Sequence, residues 1–94
     1  MKKIRINILI DFYTAKLSDI AKRVSVLAAT ARQVYEKPNF HKIAKEAKSL
    51  FADYIVFRNK ARKFIELIGM PYGQSWAYEY ELRAANYFGF LLTN

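Results

Sequence analysis

From Ile6 onward, apolar or small side chains recur in alternating steps of four and three, at Ile6, Ile10, Tyr13, Leu17, Ile20, Val24, Leu27, Ala31 and Val34. A stripe sustained over that distance is a heptad seam, the pattern of a helix that lies along another helix. The same spacing returns at Phe40, Ile43, Ala47, Leu50, Tyr54, Phe57, Ala61, Phe64 and Ile68. Between the two seams stands Pro38. It has no N–H to donate and disfavours helical geometry in the residue before it, so the first run is predicted to end there. Asn39 is then of the type that caps the next helix.

Two seams of similar length across a short break predict an antiparallel helical hairpin, with arms over about residues 4–36 and 39–68. The alternation Ile4, Ile6, Ile8, Ile10 also suits the start of a β-strand, but no second strand is evident to pair with it. Gly69, Pro71 and Gly73 stop the second arm, and Ser75 can cap a third helix over about residues 75–92. Its expected apolar face is Ala77, Tyr80, Ala84, Tyr87 and Leu91. The expected fold class is therefore all-α: a helical bundle built from a long hairpin and a shorter C-terminal helix. No longer repeat and no linker composition divides the chain, so residues 1–94 are expected to form one domain. The third helix is about half as long as the arms. Part of the seam should stay uncovered unless a second copy or another protein fills it, which predicts a homo-oligomer or a larger complex.

Charge and aromatic content are segregated along the chain. Residues 1–36 carry a net +4, residues 37–68 a net +5 and residues 69–94 a net −1, within a formal total of +8. The last segment holds Tyr72, Trp76, Tyr78, Tyr80, Tyr87, Phe88 and Phe90, seven of the fifteen aromatic residues. A basic surface and an aromatic cluster on different parts of one small molecule point to two different contacts.

The residue types for most catalytic chemistry are scarce. There is no cysteine, which removes thiol nucleophiles, thiolate metal sites and disulfides, and makes a reducing, cytoplasmic setting the expectation. Lys2, Lys3 and Arg5 before Ile6 to Ile10 faintly resemble a signal sequence, but Asn7 interrupts that run and Asp11 ends it, so mature protein is expected there. His41 is the only histidine, and no carboxylate lies three or four residues from it to complete a helical metal pair. A surface or capping role suits it better than a catalytic one. Glu79 and Glu81 point in different directions on a helix and should be solvated or paired with Arg83. No glycine-rich phosphate loop and no apolar run of about eighteen residues is present. Neither an enzyme, a cofactor, a metal nor a membrane span is expected.

The candidate functional residues are consequently basic and aromatic. On the second arm Lys45 and Lys63 lie opposite the seam, flanked by Lys42, Lys48 and Lys60 and diluted by Asp53 and Glu66. Arg58 and Arg62 share one flank of that seam with Phe51 and Ile55. There they could grip phosphate, or equally pair with Asp11, Asp19 or Glu36 of the first arm. On the first arm Arg5, Lys16 and Arg23 fall on one line interrupted by Phe12, and such a line can follow a phosphate backbone without reading bases. Trp76, Tyr78 and Phe90 are the candidate partner-binding residues, with Tyr78 and Phe90 lying off the expected apolar face.

The expectation that joins these features is a non-catalytic basic subunit of a nucleoprotein complex that touches the phosphate backbone of DNA or RNA with little sequence specificity. Small subunits of RNA-guided surveillance complexes are comparable in size, charge and helicity, though no motif is shared. The competing expectation is a protein-directed inhibitor, immunity factor or adaptor that binds an acidic partner, with the lysines serving as electrostatic steering.

Overall fold

The computed structural model describes the backbone of residues 3–33 and 37–92 and the side chains of residues 5–32 and 41–92. Three α-helices account for nearly all of it: α1 (Lys3–Gln33), α2 (Lys37–Leu67) and α3 (Trp76–Leu92), with a single 3-10 turn at Tyr72–Gln74 before α3. No strand occurs among the described residues, and the isoleucine alternation at the start of the chain is helical. Val34, Glu36 and the side chains of Asn39 and Phe40 lie outside the described residues.

The helix boundaries follow local chemistry. Helix α2 begins at Lys37, before the expected Asn39 cap, and takes Pro38 into its first turn. The missing proline N–H is harmless there, because first-turn amides have no intrahelical acceptor, and the fixed φ is already helical. At the other end Gly69 adopts φ +84°, a left-handed conformation that strains any residue with a Cβ. This lets the Gly69 N–H donate to the Glu66 carbonyl at 3.0 Å and the Met70 N–H to the Ile65 carbonyl at 3.3 Å, closing the helix end. Ser75 is the N-cap expected for α3. Its Oγ accepts from the Tyr78 N–H at 3.3 Å and donates to the Tyr72 carbonyl at 2.6 Å, so one hydroxyl ties the 3-10 turn to the new helix.

Helix α3 runs parallel to α1 and antiparallel to α2. Its first turn shares a groove with Asn7, Ile10 and Asp11, its middle borders Ser18 to Ser25, and the Phe90 ring near its end sits under Arg32. Along α2 the order is reversed, Tyr54 reaching Glu81 and Phe51 reaching Phe88. The result is a slender bundle measuring 52 × 19 × 16 Å.

The core is wider than a hairpin seam. Leu17, Ile20, Val24 and Ala31 of α1 and Ile43, Ala47, Leu50, Tyr54 and Ala61 of α2 are buried as the spacing predicts. Ala21 and Ala28 of α1, Ile65 of α2 and Phe88 of α3 are buried as well, although they lie outside the predicted seams. They belong to the second stripe that each long helix needs once a third helix docks beside the pair. Tyr80 and Tyr87, expected on the apolar face of α3, are only half-buried. Of the exposed large apolar residues, Ile8, Phe12, Leu67, Met70 and Trp76 lie toward the end where α1 starts and α2 finishes, while Val26, Phe51, Val56 and Leu82 are spread over the rest of the bundle.

Candidate functional site

Nine of the ten candidate cations have exposed side chains: Arg5, Lys16, Arg23, Lys42, Lys45, Lys48, Lys60, Arg62 and Lys63. The exception is Arg58, which is half-buried. Of the first-arm acids expected as its partners, Glu36 lies outside the described residues, and no ion pair joins Arg58 to Asp11 or Asp19. The Arg58 Nε lies 3.5 Å from Oε1 of Glu81 on α3, and the two side chains are 30% and 18% exposed. Glu81 is accordingly neither solvated nor paired with Arg83. The same Oε1 accepts from the Tyr72 hydroxyl at 3.1 Å, and the Tyr54 hydroxyl donates to the Glu81 carbonyl at 3.5 Å. The Arg58 Nε makes no aligned hydrogen bond among the described residues, so its link to Glu81 is a charge contact across a shielded gap. This polar cluster joins α2, the 3-10 turn and α3, which makes Arg58 part of the scaffold.

Burial raises the hydroxyl pKa of both tyrosines above the ordinary value, and the Glu81 carboxylate raises it further; the hydrogen bond to Glu81 adds to the effect at Tyr72. The folded chain therefore holds these protons at a pH where the unfolded chain has lost them. The stability this contributes is fully present below about pH 10 and is lost as pH rises above it. Urea unfolding at about pH 8 and about pH 11 should show this loss in the wild type. A smaller loss is expected in Tyr72→Phe, which keeps the ring and removes the hydroxyl. An equal loss in both would mean that Tyr72 ionises as freely folded as unfolded.

Two more arginines are drawn into exposed ion pairs one turn away on their own helices, Arg23 with Asp19 at 3.4 Å and Arg62 with Glu66 at 2.9 Å. Such pairs are weak and still available to a stronger anion. Arg5, Lys16, Lys42, Lys45, Lys48, Lys60 and Lys63 have no carboxylate partner among the described residues. Lys42, Lys45 and Lys48 form one patch on α2, and Lys60 and Lys63 another. Lys45 and Lys63 are separated by about five turns, roughly 27 Å.

The structure also joins two lines that looked independent in the sequence. Tyr13 of α1 stacks on Phe64 of α2 at 6.0 Å between centroids, lies 6.1 Å from Phe57, and meets Phe12 edge-on at 5.1 Å. Lys16 lies over the Phe12 ring at 5.4 Å and Lys63 over the Phe64 ring at 5.8 Å. Cations from both long helices thus lean on one aromatic cluster, in which Phe12 is exposed and the other rings are half-buried.

The aromatic candidates divide differently. Trp76, at the first position of α3, is 73% exposed. Tyr78 and Phe90, expected to face a partner, are half-buried against the core, Tyr78 edge-on to Tyr72 at 5.7 Å. Lys22 and Arg32, which the sequence did not single out, and Arg83, expected only as a partner for Glu79 or Glu81, lie near aromatic residues where α1 meets α3. Arg32 lies over Phe90 at 5.2 Å and Arg83 over Tyr80 at 5.8 Å. Spacing within one helix accounts for Arg83 over Tyr80, three residues apart on α3, but Arg32 and Lys22 reach these aromatic residues only through the alignment of α3 along α1.

Among the described residues no group of three or more His, Asp or Glu side chains is placed to hold a metal ion, and no helix is long and apolar enough to cross a membrane. No family model matches the chain, and no curated protein or solved structure matches it.

Proposed function

We propose that this chain is a non-catalytic helical subunit of a nucleoprotein assembly, holding a nucleic-acid strand by its phosphate backbone. The observation that carries this reading is the set of seven exposed cations without carboxylate partners among the described residues, distributed along a 52 Å rod. A compact acidic patch on a partner would need such charges close together. A strand carrying a phosphate at every step can meet them at intervals. Contacts made by spaced cations to phosphates carry no sequence information, so binding should be largely indifferent to sequence. A chain without cysteine suits a reducing compartment, which supports a cytoplasmic role.

The test is the salt dependence of binding to labelled oligonucleotides. If all seven cations contact phosphates, log affinity should fall against log salt with a slope of about −6 for duplex DNA and about −5 for a single strand. Binding that is undetectable at low salt rejects the reading.

A second reading, an inhibitor, immunity factor or adaptor directed at an acidic protein, is favoured by the apolar end where Leu67, Met70 and Trp76 are exposed. In that case the lysines would set the association rate more than the equilibrium affinity. Oligonucleotides would bind weakly, and substitution of Trp76 would be the damaging change.

A further inference from the structure

Between α1 and α3, midway along the bundle, lies an open cleft of about 190 Å³. Its polar lining comes from both helices: Ser18, Lys22 and Ser25 from α1, and Tyr80, Arg83 and Tyr87 from α3. That is two cations and four hydroxyls around one space, with no carboxylate in the lining. The floor is Ala21, whose small side chain leaves the depth that a larger residue would fill. Neither Lys22 nor Arg83 has an ion pair among the described residues, and Asp19, the nearest acid in sequence to Lys22, is engaged by Arg23. The Arg83 guanidinium lies over the Tyr80 ring at 5.8 Å, and both residues line the cleft.

We propose that this cleft binds one tetrahedral oxyanion, a phosphoryl group. Hydroxyls can donate to any acceptor, but a lining with two cations, four hydroxyl-bearing side chains and no acid favours negative charge. The volume is below that of sites that enclose whole small molecules, so the cleft would take one group and leave the rest of its carrier outside. Arg83 supplies a planar fork for two oxygens and Lys22 a mobile point charge for a third. The phosphoryl group can belong to a strand held along the rod, which rests on the function proposed above, or it can be free phosphate, which does not.

Isotope-labelled protein titrated with inorganic phosphate against chloride at matched ionic strength tests the cleft by NMR. Saturable shifts at Ser18, Lys22, Ser25 and Arg83 are expected, weakened roughly tenfold in Lys22→Gln and in Arg83→Gln. Arg83→Lys, which keeps the charge and loses the fork, should fall between. Both cations are on the surface, and thermal melts matching the wild type show that the variants are folded. A second titration with a short single-stranded oligonucleotide identifies the source. If it competes with phosphate at the cleft, a strand phosphate is the ligand; if it leaves those resonances unmoved while phosphate shifts them, free phosphate is. The inference is overturned if phosphate shifts only the Lys42 to Lys48 region, or if Arg83→Gln responds as the wild type does. Oligonucleotide binding could then persist through Lys45 and Lys63 and leave the proposed function standing. Phosphate binding at the cleft without any oligonucleotide binding would reject that function and keep the cleft.

Discussion

Replacing Phe88 with alanine should lower stability by about 3 to 5 kcal/mol, seen as a drop in the urea midpoint with little change in slope. Phe88 is 2% exposed and sits where α3 meets α2. Its ring centre lies 5.2 Å from that of Phe51, edge-on at 75°, and 5.2 Å from that of Tyr54. Truncation removes a large apolar side chain, leaves a cavity between two stiff helices that cannot fully close it, and abolishes two aromatic contacts. A chain of this length has about 5 to 14 kcal/mol in total, so the variant should be close to unfolding at physiological temperature. Leu82→Ala is the matched control. Leu82 is on the same helix but 49% exposed, and its loss should change stability by no more than about 0.5 kcal/mol. If the two variants melted alike, α3 would not be docked through Phe88 and the three-helix core would be wrong.

The contrast between those residues shows what the sequence could and could not reveal. A heptad stripe advertises one contact per helix, and the stripes of α1 and α2 found each other correctly through Leu17, Val24, Leu50 and Tyr54. Helix ends were legible where a residue has a single conformational use, as with Gly69 and Ser75. The docking of α3 was harder to read, because it relies on Ala21, Ala28 and Ala84, whose small side chains mark close helix approach but carry little hydrophobic signal. Phe88 lay one position beyond the stripe drawn for α3. Arg58 and Glu81 lie on different helices, and which cation meets which carboxylate depends on how far α3 slides along α2. Spacing within a helix holds no information about that slide. The same limit hid the cleft of Lys22 and Arg83 and the shared cluster under Lys16 and Lys63.

Reversing two charges, Lys45→Glu together with Lys63→Glu, should reduce nucleic-acid affinity by about a hundredfold at 0.1 M salt and flatten the salt slope by about 2. A slope of about −0.9 per phosphate contact means that each contact contributes nearly one power of ten at 0.1 M relative to 1 M salt, and repulsion from the new carboxylates adds to the loss. These two lysines suit the test because both are exposed, Lys45 on the back of α2 and Lys63 at the edge of the aromatic cluster, and glutamate matches lysine closely in helix propensity. Folding should therefore be preserved, and an unchanged urea midpoint would confirm it. The spacing of the pair sharpens the interpretation. Roughly 27 Å apart, they cannot serve one phosphate, so an equal share of the loss from each single variant would mean that the strand runs the length of α2. Loss from Lys63→Glu alone would confine the strand to the aromatic cluster that Lys63 shares with Lys16. If the double variant kept its affinity and slowed only the association with a protein partner, the lysines would be steering charge and the chain an adaptor to an acidic protein.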